Sequence, residues 1–179
     1  MLSRDCDDNI TLQSRIADKG RKEGHFIDNT FKGFYIHWLW NDELSELARH
    51  CYKWNVDNGV IFVDHDRLAR EQIDLWKDNR DKILISIVDE GGIHWVLLVA
   101  HKSRVFFVDS EGNPIRNGGG AEMRYNKLNE AVSDKEGKDI EIHDLSFEQQ
   151  LDGSNCGIFA LENARIIERV IKEIKKIVS

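Results

Sequence analysis

Three apolar, β-rich runs at 82–88, 95–100 and 104–108 set the limits on how this chain folds. The first carries Ile83, Leu84, Ile85, Ile87 and Val88, and the second reads Trp95-Val96-Leu97-Leu98-Val99-Ala100. A strand with one wet face alternates apolar and polar residues. These runs are apolar almost throughout, which marks central strands covered on both faces. Only His101-Lys102-Ser103 separates the second run from the third, a polar link of hairpin length.

Helical patterns flank these runs. Asn41 and Asp42 offer N-caps, and Leu44, Leu47, Ala48, Cys51 and Tyr52 follow at helical spacing on one face. Cys51 on that face reads as a small core residue. A second helix is expected over 66–78, with Leu68, Ile73, Leu75 and Trp76 partly buried. A third is expected over 121–132. The last and longest runs from Cys156 to about 177, with Ile158, Leu161, Ile166, Val170, Ile174 and Ile177 among its apolar positions. Short strands are expected at 60–63 and 140–142. The stretch 111–120, broken by Asn113-Pro114 and Gly118-Gly119-Gly120, reads as a plain flexible loop. It lacks the strand and the Gly-Lys-Ser/Thr that a phosphate cradle requires. Residues 144–155 also read as loop. The sequence thus predicts an α+β fold, a small, mostly antiparallel sheet flanked by helices. Residues 1–30 form an arm, or one helix over about 9–19, ahead of a domain over 31–179 that opens on the aromatic cluster Phe31, Phe34, Tyr35, Trp38 and Trp40.

Composition narrows the function. The chain has 179 residues, enough for one domain with a sizeable core. No segment approaches the roughly 20 apolar residues of a membrane span, and the first residues lack the apolar core of a secretory signal. The 25 basic and 32 acidic residues leave a net charge of −7, which argues against nucleic acid as a partner. The cysteines, Cys6, Cys51 and Cys156, make no disulfide framework, so a reducing, cytosolic compartment is expected. No Cys-x-x-Cys or His-x-x-x-His spacing points to a metal, and neither a metal nor a cofactor is expected.

Four residues suggest chemistry when taken together. Cys156 lies where a loop meets the long helix, and a helix N-terminus offers unpaired N–H groups and partial positive charge that suit an anionic nucleophile. His94 opens a strand just after Gly91-Gly92, where it can act as general base and then acid. Asp109 closes the next strand. Antiparallel pairing brings it to the same end of the hairpin as His94, where a carboxylate fixes the imidazole tautomer. Gln149 or Gln150 can donate to a developing oxyanion. Each has an ordinary reading as well: a buried thiol, a surface histidine, a turn-forming aspartate. Jointly they supply nucleophile, base, orienting group and oxyanion donor.

The motifs around them resemble the ubiquitin-like-protein proteases, the Ulp/SENP group of peptidase clan CE. Gly92-Ile93-His94-Trp95-Val96-Leu97-Leu98-Val99 is similar to that family's His-Trp strand, and Phe106-Phe107-Val108-Asp109-Ser110 to its Asp-Ser element. Gln150-Leu151-Asp152-Gly153-Ser154-Asn155-Cys156-Gly157 resembles its Gln-x-Asn-Gly-x-Asp-Cys-Gly segment, with Asp152 and Asn155 in place of the usual Asn and Asp. Trp38-Leu39-Trp40-Asn41-Asp42 resembles its Trp-Leu-Asn-Asp motif, with Trp40 as an extra residue. The matches run from about residue 38 to 165. The resemblance implies a papain-like fold with Cys156 at the N-terminus of a long helix. It favours Gln150 over Gln149. It implies cleavage after the Gly-Gly tail of ubiquitin or a relative such as SUMO or NEDD8, the two glycines enclosed by Trp95 and either Trp38 or Trp40, with Asp42 also on the substrate side. The short chain is closer in economy to compact bacterial effector deubiquitinases, which would work in a host-cell cytosol.

Two other readings use the same residues. The YopJ-like acetyltransferases resemble this clan and acylate the cysteine from acetyl-CoA. They need a basic pocket for an inositol phosphate, which the charge of −7 disfavours. A catalytically silent ubiquitin-binding module would be expected to have lost the nucleophile or the base, and here both positions are filled.

Overall fold

The computed structural model describes residues 39–63, 69–92, 94–150 and 155–179. The expected arm over 1–30, the cluster from Phe31 to Trp38, Cys6 and Leu68 lie outside the described residues. Along the described chain come helix α1 (Asn41–His50), a 3-10 turn (Val56–Asn58), strand β1 (Val60–Val63), helix α2 (Ala69–Lys77), strands β2 (Ile83–Asp89), β3 (Trp95–His101) and β4 (Arg104–Val108), helix α3 (Gly120–Glu136), strand β5 (Glu141–Asp144) and helix α4 (Cys156–Val178).

The strands form one five-stranded sheet in the order β1-β2-β3-β4-β5. Its centre is antiparallel, as expected: β3 pairs with β2 through Ser86↔Leu98 and with β4 through Leu98↔Phe107. Both edges are parallel. β1 joins β2 through Val60↔Ile83, and β4 joins β5 through Arg104↔Glu141. The cause is the connections. α2 lies between β1 and β2 in sequence and α3 between β4 and β5, and a helical crossover brings the next strand back pointing the same way.

The continuous apolar runs are buried from both sides. Trp95, Leu97 and Val99 of β3 face a core shared with α1 and α4, including Leu44, Leu47, Ala160 and Leu161. Val96, Leu98 and Ala100 face the opposite core, with Ile73 and Trp76 of α2 and Leu128 and Val132 of α3. Period-2 alternation therefore divides one apolar run between two hydrophobic layers. Cys51 packs against the first of them, as its helix face indicated.

Local expectations are corrected in several places. α1 begins with Trp40 as N-cap rather than Asn41 or Asp42, because Glu43 Oε2 accepts from the Trp40 N–H at 2.8 Å and closes the first turn. Leu75 is exposed, since Ile73 and Trp76 occupy the inner face of α2. The three glycines do not end a plain loop. Gly119 is the N-cap of α3 and Gly120 its first residue. Buried Glu90 accepts from the Ala121 N–H at 2.8 Å, and a Cβ on Gly119 would lie 2.2 Å from Glu90 Oε2. The glycines make room for a carboxylate cap at a helix N-terminus. On α4, Leu161 is buried and Ile158 packs on the core, but Ile166, Val170, Ile174 and Ile177 lie on the exposed face.

Candidate active site

α4 begins at Cys156, whose side chain is almost fully buried at 1% exposure. Asn155 is the N-cap, and its carbonyl accepts the first helical bond from the Phe159 N–H at 3.0 Å. Gly157 lets this end of the helix settle on the sheet. A Cβ there would meet Leu39 Cβ at 3.2 Å and Trp95 Cδ1 at 3.3 Å. Leu39 is held in turn, because Trp95 Nε1–H donates to its carbonyl at 2.8 Å. Trp95 therefore packs beneath the cysteine, inside the core cluster that contains Cys156.

His94 is presented by a tight reversal between β2 and β3. Gly91 and Gly92 adopt φ +77 and +80, backbone that residues with a Cβ rarely adopt. Asp89 Oδ1 accepts from the Gly92 N–H at 2.7 Å, and the Glu90 N–H donates to the His94 carbonyl at 2.7 Å. The ring then meets Asp109, with Nε2 and Oδ1 2.8 Å apart. Asp109 is itself anchored: its N–H donates to Ser146 Oγ at 2.9 Å, and Oδ1 also accepts from the Glu111 N–H at 2.7 Å.

The electrostatics fix the tautomer. Burial alone raises the Asp109 pKa, but the hydrogen bonds from His94 and the Glu111 N–H outweigh it and leave the carboxyl below its usual range. An ionised carboxylate only accepts, so His94 Nε2 carries the proton and donates to it. Burial alone would also lower the His94 pKa. Hydrogen bonds to Asp109 and to Cys156 override that and push it up to about 10. With Nε2 committed to Asp109, the ring nitrogen left for Cys156 is Nδ1.

The two glutamines separate clearly. Gln149 exchanges paired amide bonds with Asn163 of α4, at 2.8 and 3.2 Å. Gln150 is buried, with its amide oxygen accepting from Ser110 Oγ at 2.7 Å and its N–H donating to the Ser110 carbonyl at 3.0 Å. Ser110 follows Asp109 directly, so one turn positions both the carboxylate and Gln150. Residues 151–154 lie outside the described residues. Of the residues expected on the substrate side, Trp40 is 52% exposed at the start of α1, Asp42 is exposed in its first turn, and Trp38 lies outside the described residues.

One neighbour was missed in the sequence. Glu111 Oε1 lies 3.7 Å from His94 Nδ1. The link between β3 and β4 is shorter than expected: His101 pairs with Arg104, leaving a two-residue turn at Lys102-Ser103 with Lys102 at φ +55. Continued past its last pair, Leu97 and Val108, that register aligns His94 with Glu111. A hairpin centred on Lys102 pairs it with Ser110 instead. His94, Asp109 and Glu111 each offer a metal-ligating atom within 4.8 Å of one another, and of these Asp109 is already joined to the ring by its hydrogen bond. No helix among the described residues is long and apolar enough to cross a membrane.

No family model matches the chain. In sequence, it is 35% identical over 80 residues to NEDD8-specific protease 1 of Arabidopsis thaliana. That match takes in 45% of this chain and 34% of the relative, so the chain spans about a third of the relative's length. In structure, it is similar to the C-terminal Ulp1 protease domain in complex with Smt3, the yeast ortholog of SUMO. The TM-score is 0.52 at 17% identity, covering 83% of this chain and 80% of that one. Ulp1 with its catalytic cysteine oxidised to a sulfenic acid gives a TM-score of 0.57 at 18% identity, covering 92% and 83%. The Xanthomonas campestris effector XopD bound to ubiquitin gives 0.53 at 17% identity, covering 82% and 84%. The fold is thus that of the Ulp1 protease domain, and the chain resembles the Ulp/SENP-like proteases in sequence as well.

Proposed function

We propose that this chain is a cysteine-type isopeptidase that cleaves ubiquitin or a ubiquitin-like modifier after its C-terminal Gly-Gly. The observation that carries the proposal is the His94 imidazole, bonded through Nε2 to Asp109 at 2.8 Å, with Cys156, the first residue of α4, also holding its pKa up. In this reading Cys156 Sγ attacks the glycine carbonyl and a thioester forms. His94 takes up the thiol proton and delivers it from Nδ1 to the departing amine, then activates the water that hydrolyses the thioester. Asp109 holds the ring and stabilises the imidazolium. Gln150, fixed by Ser110, and the Cys156 backbone N–H receive the oxyanion.

The names of the similar proteins support the substrate class, since they cover NEDD8, Smt3 and ubiquitin. Ubiquitin is the first choice, with SUMO and NEDD8 as the other candidates. Trp95, Trp40 and Trp38 are the candidates to enclose the two glycines, with Asp42 beside them for a polar contact to the modifier. A reducing cytosol suits a free nucleophilic thiol.

The test is a panel of C-terminal electrophile probes made from ubiquitin, SUMO and NEDD8. At least one is expected to label the wild type and not Cys156→Ala, and that probe names the modifier. Labelling by none of them, or labelling that survives in Cys156→Ala, overturns the assignment.

A further inference from the structure

The mechanism above leaves one charged neighbour of the imidazole without a role. Glu111 Oε1 lies 3.7 Å from Nδ1, the ring nitrogen that must hand a proton to the leaving amine. Its side chain is 42% exposed, against 12% for His94, so it stands at the solvent rim where a leaving group would depart.

Its position is built by the fold. Asp109-Ser110-Glu111-Gly112 is a β-turn closed by the Gly112 N–H on the Asp109 carbonyl at 3.1 Å. Gly112 has φ +77, and a Cβ there would lie 2.9 Å from the Glu148 backbone nitrogen. Glu111 forms an isolated bridge with Glu148, and its N–H donates to Asp109 Oδ1. Asn113 Nδ2 approaches its other carboxylate oxygen at 3.4 Å. The turn that orients the orienting carboxylate therefore also aims Glu111 at the far side of the ring.

Resting on the protease reading, we infer that Glu111 is a specificity residue for a basic alkyl-amine leaving group, the ε-amine of a lysine in an isopeptide bond. When the tetrahedral intermediate collapses, the C–N bond breaks and its electron pair goes to nitrogen, which takes the proton from His94 Nδ1. A lysine amine has an ordinary pKa of about 10.4, so its nitrogen carries positive charge once His94 has protonated it, until the C–N bond breaks, and the neutral amine released takes a second proton from solvent. A carboxylate 3.7 Å from the donor nitrogen, at ion-pair distance, faces that charge. An arylamine such as aminocoumarin stays neutral and gains nothing from it.

The experiment compares wild type and Glu111→Gln on two substrates carrying the same modifier, one joined to a lysine ε-amine and one to aminocoumarin. The readout is kcat/KM, which reports steps through acylation. Glu111→Gln is expected to lower the lysine-to-coumarin ratio about 1.5- to 5-fold, the scale of an ion pair open to solvent, and 0.5 M salt to compress the wild-type ratio toward that of the variant. A ratio that does not change overturns the inference, whether both activities fall together or neither does. If the wild type cleaves neither substrate, the protease reading fails first, and that shows before any variant is measured.

Discussion

Gln149 and Gln150 are adjacent in the chain and sit in unlike surroundings. The amide of Gln149 is paired at both ends with Asn163, which is buried on α4. The amide oxygen of Gln150 is fixed by Ser110, one residue beyond the carboxylate that holds His94. The first arrangement ties a loop to a helix, and the second ties the proposed oxyanion donor to the turn that carries Asp109. Gln150→Ala is therefore expected to lower kcat by about 10²–10³, the usual effect of removing one oxyanion donor. Gln149→Ala is expected to cost about 1–3 kcal/mol of stability, by leaving the Asn163 amide unpaired, while kcat stays within about tenfold. Steady-state kinetics well below both melting temperatures, with chemical denaturation in parallel, separates the two. An equal loss of kcat in both variants would remove the distinction. The resemblance in sequence favoured Gln150. The physical ground for the choice, the Asn163 partner, comes from a helix that the local sequence does not reveal.

At the scale of elements, the site depends on close approaches that only glycine allows. The start of α3 is pressed against the end of β2: a Cβ on Gly120 would lie 2.4 Å from the Asp89 carbonyl oxygen and 2.9 Å from Val88 Cγ1. The first of these is backbone in a paired strand and cannot retreat cheaply. Gly120→Ala is expected to destabilise by about 1–3 kcal/mol, as overpacking does. Gly137→Ala, at the C-cap of α3 with open space around it and φ +64, should cost only about 1 kcal/mol for the left-handed backbone. Urea denaturation of the two variants checks the order, and a Gly120→Ala variant as stable as wild type would show that the contact is not tight. A run of three glycines reads as a breaker in sequence. Their purpose was hidden because Glu90, the carboxylate they admit, lies on the far side of two strands and a loop.

At the scale of the whole molecule, the fold assembles a titrating cluster from three distant segments, and stability becomes linked to pH. The His94 pKa stands at about 10 in the folded chain, against 6.5 for a free imidazole, and unfolding releases the ring from Asp109 and Cys156. A raised folded-state pKa stabilises fully below about 6.5, and the contribution disappears as pH climbs toward about 10. The unfolding free energy of wild type minus that of His94→Ala is therefore expected to shrink steadily between about pH 6.5 and 10. A difference that stays flat across this window would mean that the ring holds no extra proton in the folded state. Asp109 acts in the opposite sense: its depressed pKa adds stability above the ordinary carboxylate range, and this is lost as the solution is acidified.

The sequence by itself determined the sheet centre, the helices and the candidates for the site. Continuous apolar runs leave a strand no wet face, helical periodicity assigns each helix an inner side, and Cys156, His94 and Asp109 stand at or beside element ends, with Gln150 in the loop before the last helix. Tertiary structure alone decided three further things: the parallel edges set by the α2 and α3 crossovers, the exposed stripe of α4, and the two-residue turn that brings Glu111 opposite His94. The reason is physical. Periodicity reports which side of an element is apolar. Register and crossover direction depend on partners far away in sequence, and there a shift of one residue changes which side chain faces the imidazole.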